Sequence, residues 1–130
     1  MKKNIVILVI LTGLAVLCAW ETVYLNRVFK DVERETREIL AMFESDTENI
    51  DKPDTISKAA SLLETWEKRK PVLQVFVHHA QIGLFTDKLV ALSAHINQND
   101  YNMANTVGLV IVSNSSAQRE HNIPFIHNIF

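Results

Sequence analysis

A chain of 130 residues with three Gly, three Pro and one Cys is long enough for one domain and an appendage, and too short for two domains. So few turn formers argue against both disorder and a β-sandwich, and a single Cys allows no disulfide within the chain. The formal charge of −2 is unevenly divided. Without Lys2 and Lys3 the chain from Glu21 onward holds 11 basic and 15 acidic residues, which leaves no basic stripe for nucleic acid and no polybasic patch for an anionic lipid face.

The N-terminus opens with Met1-Lys2-Lys3 and continues into residues 5–20, which hold no charge. Extended to Leu25, with Glu21 at the interface, the stretch spans roughly 30 Å as a helix, the thickness of a hydrocarbon core. Ile5, Leu8, Leu11, Leu14 and Leu17 are its anchoring residues, and Trp20 and Tyr24 fall where interfacial aromatics belong. A cleaved signal peptide is the competing reading. Cleavage wants small residues at two alternating positions before the cut, and Leu17-Cys18-Ala19 offers a large one at the first. Acylation of Cys18 would want a small residue before it, where Leu17 stands. Cys18 therefore reads as a membrane-embedded thiol. With two lysines before the helix and Glu21 the first charge after it, the N-terminus is expected in the cytoplasm and the rest of the chain outside.

Beyond the apolar segment the helix is expected to continue. Leu25, Val28, Phe29, Val32, Ile39, Leu40 and Phe43 recur at helical spacing. Between them the charged run 30–38 reads as a solvated face, with Glu33 and Arg37 paired one turn apart. Residues 45–49 and 51–54 form the first break. Pro53, with Asp51 or Asp54 as cap, is expected to start a second helix whose stripe is Ile56, Ala59, Ala60, Leu63 and Trp66. Pro71 should kink or end it. Residues 72–77 alone could be a buried strand, but Val72, Phe76, His79 and Gly83 also fit helical spacing, and a lone strand has no partner.

A third helix is marked by Ile82, Phe85, Leu89, Leu92 and Ile96, and residues 97–100 end it. Asp100 is expected to cap a fourth through Tyr101, Ala104, Val107, Gly108 and Ile111. The β-branched run 107–112 conflicts with that assignment, yet no hairpin signal flanks it. Residues 113–116 turn polar, and Pro124 breaks any element beyond them. Ile56 to Ala59 and Tyr101 to Ala104 echo each other after Asp-containing breaks, a packing similarity with too few copies for an array. The chain thus reads as all-α: a membrane anchor over 1–25, a helical bundle of about four antiparallel helices over 26–120, and an apolar tail over 121–130.

Few residues suggest chemistry. His78 and His79 are adjacent, so on a helix they diverge by about 100° and do not share a metal. His95, His121 and His127 have no ligand at metal-site spacing. No glycine-rich phosphate loop and no Gly-flanked serine nucleophile is present. Glu33 and Glu35 sit in a solvated run that would not separate their pKa values. Asn114-Ser115-Ser116 matches a glycosylation acceptor, which matters only in a eukaryotic secretory host. No enzyme and no cofactor is expected.

Several short motifs coincide along the chain: the Lys-flanked apolar start, Tyr24-Leu25-Asn26, Trp66-Glu67-Lys68, Phe76 with His79, and Asn128-Ile129-Phe130. In these the chain resembles the bacterial family catalogued as domain of unknown function 4363, short single-anchor proteins of spore-forming Firmicutes. Pro71, His78 and Gly83 depart from the plain helix formers usual there, and the charged stretch before the C-terminus is thinned to Arg119-Glu120. The family carries no established activity. The resemblance implies a membrane partner, a small multi-span protein, in an envelope or spore-related process.

The expected function is therefore a non-enzymatic, membrane-tethered interaction module on the extracytoplasmic side, bound to lipid through its first helix. Phe125, Ile126, Ile129 and Phe130 are the expected docking residues, either into their own bundle or onto a partner. The rival readings are a ligand-sensing or ligand-binding domain with a cleft near Trp66, His79 and His95, and a secreted helical protein after signal cleavage.

Overall fold

The computed structural model describes residues 1–121 and contains four helices: α1 (Lys2–Glu44), α2 (Pro53–Phe76), α3 (His79–Asn97) and α4 (Tyr101–His121). No strand occurs among the described residues. Residues 72–76 belong to α2, the helical reading of that run, and only Val77 is extended. The expected docking residues Phe125, Ile126, Ile129 and Phe130 lie outside the described residues.

α1 is one unbroken helix of 43 residues whose surroundings change midway. Every residue up to Trp20 is exposed on all sides, Ile5 by 61%. From Leu25, which is 3% exposed, the stripe Val28, Phe29, Val32, Ile39 and Phe43 is buried, as the spacing of apolar residues along one helical face requires. The buried face is wider than the apolar stripe. Glu33 and Thr36 are buried too, so the charged run is only partly solvated. The reason is geometric: α1 packs against both α2 and α4, and two neighbours cover more of a helix than one.

Contacts of α1 with α2 and with α4 run in opposite sequence order. Along α1, Glu38 meets Lys58 and Asp31 meets Arg69 of α2. Phe43 meets Tyr101, Leu40 approaches Gly108, and Glu33 meets Arg119 of α4. Trp66 of α2 meets Thr86 of α3, and Gln81 of α3 meets Gln118 of α4. The core centres on Phe29, Trp66 and Phe85, whose ring centroids lie 5.2 to 6.1 Å apart, within the range in which tilted aromatic pairs attract.

The breaks differ in detail from expectation. α2 is entered through Lys52, with no side-chain cap, and Pro53 stands in the first turn. Neither Asp51 nor Asp54 caps it, since a Pro at the first position already removes one orphan N–H. Its buried face is Thr55, Ala59, Leu62, Trp66 and Leu73; Ala60 is exposed. α2 also runs through Pro71 to Phe76. Both Pro71 and Glu67, four residues earlier, are exposed, so water can satisfy the carbonyl that Pro71 leaves without a donor.

α2 and α3 part at Val77 and His78, not at Pro71. Val77 and His78 adopt extended backbone, and His78 Nδ1 accepts from the Ala80 N–H at 3.2 Å as the cap of α3. Val72, His79 and Gly83 are consequently exposed rather than parts of a common stripe. α3 buries Ile82, Phe85, Leu89, Leu92 and Ile96, all five residues of its expected stripe. Asp100 caps α4, accepting from the Met103 N–H at 3.2 Å. α4 continues past the polar residues 113–116 because Ser115 turns its hydroxyl back onto the Ile111 carbonyl at 2.7 Å and is buried there.

Candidate functional site

The apolar half of α1 and its junction with the bundle form the candidate site. Thr12 and Thr22 donate their hydroxyls to the carbonyls of Leu8 and Cys18, at 2.8 and 2.9 Å. The polar groups of this segment are thus satisfied inside the helix, as a helix in lipid requires. Cys18 is a free thiol on its exposed surface. By length and composition α1 is apolar enough to cross a membrane, with a mean hydropathy of 2.3 over its most apolar window and none of that window buried.

Trp20 and Tyr24 mark the transition. Their rings stack at 5.2 Å with planes 12° apart, one turn from each other. Trp20 also meets Phe76 edge-on at 5.8 Å. The upper end of the apolar segment is thereby fixed to the last residue of α2. Tyr24 packs against the buried core, while Trp20 remains half exposed.

No protein-family model, no curated protein and no solved structure matches the chain. The family resemblance therefore rests on the short motifs themselves.

The three residues of the expected cleft are not brought together. Trp66 is 1% exposed and donates its indole N–H to the Thr86 hydroxyl at 2.8 Å. His79 is exposed at the start of α3. His95 stands in the last turn of the same helix, about 24 Å further along at about 1.5 Å per residue. Its Nδ1 is buried without a hydrogen-bond partner. A cleft shared by these residues would need positions on one level of the bundle, and the α2–α3 break puts His79 at one end and His95 at the other.

Polar ties hold the bundle around the apolar core. Glu33 accepts from Arg37 at 3.0 Å and from Arg119 of α4; with both oxygens engaged, it ties α1 to α4. Beside it a groove of about 410 Å³ is lined by Lys30, Arg34, Arg37, Glu38 and Arg119. The Lys58 ammonium, donating to Glu38 at 2.6 Å, holds that carboxyl below its ordinary value of 4.5, with Arg34 adding to the effect. At the opposite end from Phe76, Asn99 has a φ of 54°. Its side chain accepts from the Ile50 N–H and donates to the Glu48 carbonyl, both at 2.8 Å. This clasp joins the α1–α2 and α3–α4 connections. Its only sequence signal is an Asn where a helix must stop, which suits the left-handed backbone.

Proposed function

We propose that the protein is a non-enzymatic interaction module held in the membrane by an N-terminal transmembrane helix that continues into an antiparallel four-helix bundle. The bundle stands on the extracytoplasmic side and engages another membrane protein, a multi-span one, in an envelope or spore-related process. The last two points rest on the order of charges around the apolar segment and on the family resemblance.

The observation that carries the reading is the change of surface within a single helix. Ile5, Leu8, Leu11, Leu14 and Leu17 are exposed, whereas Leu25, Val28, Phe29 and Val32 are buried on the bundle side. Leaving large aliphatic side chains in water forfeits about 1.5–3 kcal/mol each, and a continuous exposed apolar patch marks a surface that is covered in use. Lipid covers it all round. Tethering confines the bundle to the membrane surface, which raises its effective concentration toward membrane partners without any strong contact of its own.

Crosslinking in the native membrane followed by mass spectrometry tests this reading. Recovery of the uncleaved chain joined to one multi-span protein supports it. Recovery of a chain that begins after Ala19 and lies outside the membrane overturns it.

A further inference from the structure

The bundle is polarised along its length. From Pro71 to Thr86 the chain holds no Asp, Glu, Lys or Arg, and this stretch is the end of α2, the α2–α3 turn and the first two turns of α3. At the opposite end, the α1–α2 connection holds Asp46, Glu48, Asp51 and Lys52. At its α2 end this stretch also bears exposed apolar side chains that the core does not use, Val72 and Val75, with Val75 exposed by 73%.

Its height relative to the anchor is fixed by the Trp20–Phe76 contact. From Ile5 to Trp20, α1 advances about 23 Å at about 1.5 Å per residue, less than the hydrocarbon thickness of about 30 Å. A helix that spans from Ile5 therefore places Trp20, and Phe76 with it, at or just inside the outer boundary of the lipid. Val72 and Val75 lie on the same last turn of α2 as Phe76, one turn or less away. An exposed apolar edge held at that depth meets acyl chains rather than water. Lys68 and Lys70 precede it by one turn and keep their ammonium groups paired with Glu64 and Glu67, as cations above an immersed apolar edge do.

We propose that the α2–α3 corner is a second membrane contact, in which Val72 and Val75 dip into the outer leaflet beside the anchor and hold the bundle close to the bilayer. The occupant of this apolar surface is lipid. The contact rests on the anchored reading above and adds to it that the body lies against the membrane at a fixed angle instead of swinging on a stalk. Because the immersed residues are apolar, it needs no anionic headgroup.

Depth-dependent fluorescence quenching tests the contact on the full chain in phosphatidylcholine vesicles. With Cys18→Ser as background, an environment-sensitive probe is attached at Val75→Cys in the corner, at Val90→Cys further up α3, or at Ile10→Cys in the anchor. All three positions are exposed, so the fold is undisturbed. Brominated acyl chains should quench the probes at positions 10 and 75 several-fold more than the one at 90. Quenching at 10 with 75 no different from 90 overturns the second contact and leaves the anchor standing. Absence of quenching at 10 overturns the anchored reading, and the corner contact with it.

Discussion

A Cβ placed on Gly108 would stand 2.6 Å from Cδ2 of Leu40, so α4 crosses α1 at a point where only a hydrogen atom fits. Gly in mid-helix costs about 1 kcal/mol relative to Ala, and here the close approach offsets that cost. The buried neighbours Ala104 and Ile111 on α4 and Ile39 and Phe43 on α1 pack around this crossing. Leu40 is half-buried and the atom met is the end of a side chain, so Gly108→Ala should lose no more than about 1 kcal/mol, the propensity gain offsetting the overpacking. Gly108→Leu, whose branch would have to displace the whole Leu40 side chain, should lose about 2–3 kcal/mol. Urea unfolding in detergent measures both.

The Trp66–Thr86 hydrogen bond offers a second test. The Thr86 hydroxyl accepts from the buried indole and donates to the Ile82 carbonyl at 2.8 Å. Thr86→Val keeps the shape but strands the indole N–H, at a cost of about 1–3 kcal/mol. Trp66→Phe in the same background removes the orphaned donor, so the double variant should be less destabilised than the sum of the two single changes. Thermal unfolding of the four proteins decides this.

Asn99 separates conformation from hydrogen bonding. Asn99→Gly keeps the left-handed backbone and loses the clasp to Ile50 and Glu48, a net loss of about 1 kcal/mol per hydrogen bond. Asn99→Ala loses the clasp and adds about 1–2 kcal/mol of backbone strain. The Ala variant should therefore melt below the Gly variant. Equal melting temperatures would show that the clasp alone matters.

The Glu38–Lys58 pair predicts a pH dependence. The Lys58 ammonium lowers the Glu38 pKa from 4.5. A carboxylate with a depressed folded-state pKa adds stability that is present above its unfolded value and lost as pH falls through its folded one. Lys58→Met should therefore flatten the fall in melting temperature below about pH 4.5 and leave its high-pH limb parallel to that of the parent chain. The carboxyl is solvent-exposed, so the effect should shrink in high salt.

The elements with one buried face were legible in the sequence, and the boundaries set by single residues were not. All five residues of the α3 stripe are buried, and so are six of the seven on α1, with Leu40 half-buried, because a 3.6-residue period survives in the order of apolar side chains. Ala59 and Ala104, the matching positions of the internal echo, are both buried. The place of the α2–α3 break was hidden, Pro71 being the expected one, because no Gly or Pro marks Val77–His78; an extended Val77 and the His78 imidazole serve as the cap. α4 runs on through the polar residues 113–116, where Ser115 satisfies its hydroxyl within its own helix. Trp66, His79 and His95 were joined by residue type alone, and sequence spacing across a break of unknown place gave no measure of their separation.

The partner of Glu33 was equally hidden. Its neighbour Arg37 is one turn away and readable, but Arg119 comes from 86 residues further on, and only the packing of α1 against α4 brings it there. The apolar half of α1, by contrast, needed no tertiary information: sixteen consecutive residues without a charge read as one apolar helical segment, and the structure has it so.

The central claim is that this segment stays in the lipid after synthesis, joined to the bundle it carries. The direct measurement is the intact mass of the mature polypeptide recovered from alkali-washed membranes. The full chain beginning at Met1, retained in the washed pellet, is the predicted result. A shorter chain starting at Trp20 and released into the supernatant would contradict it.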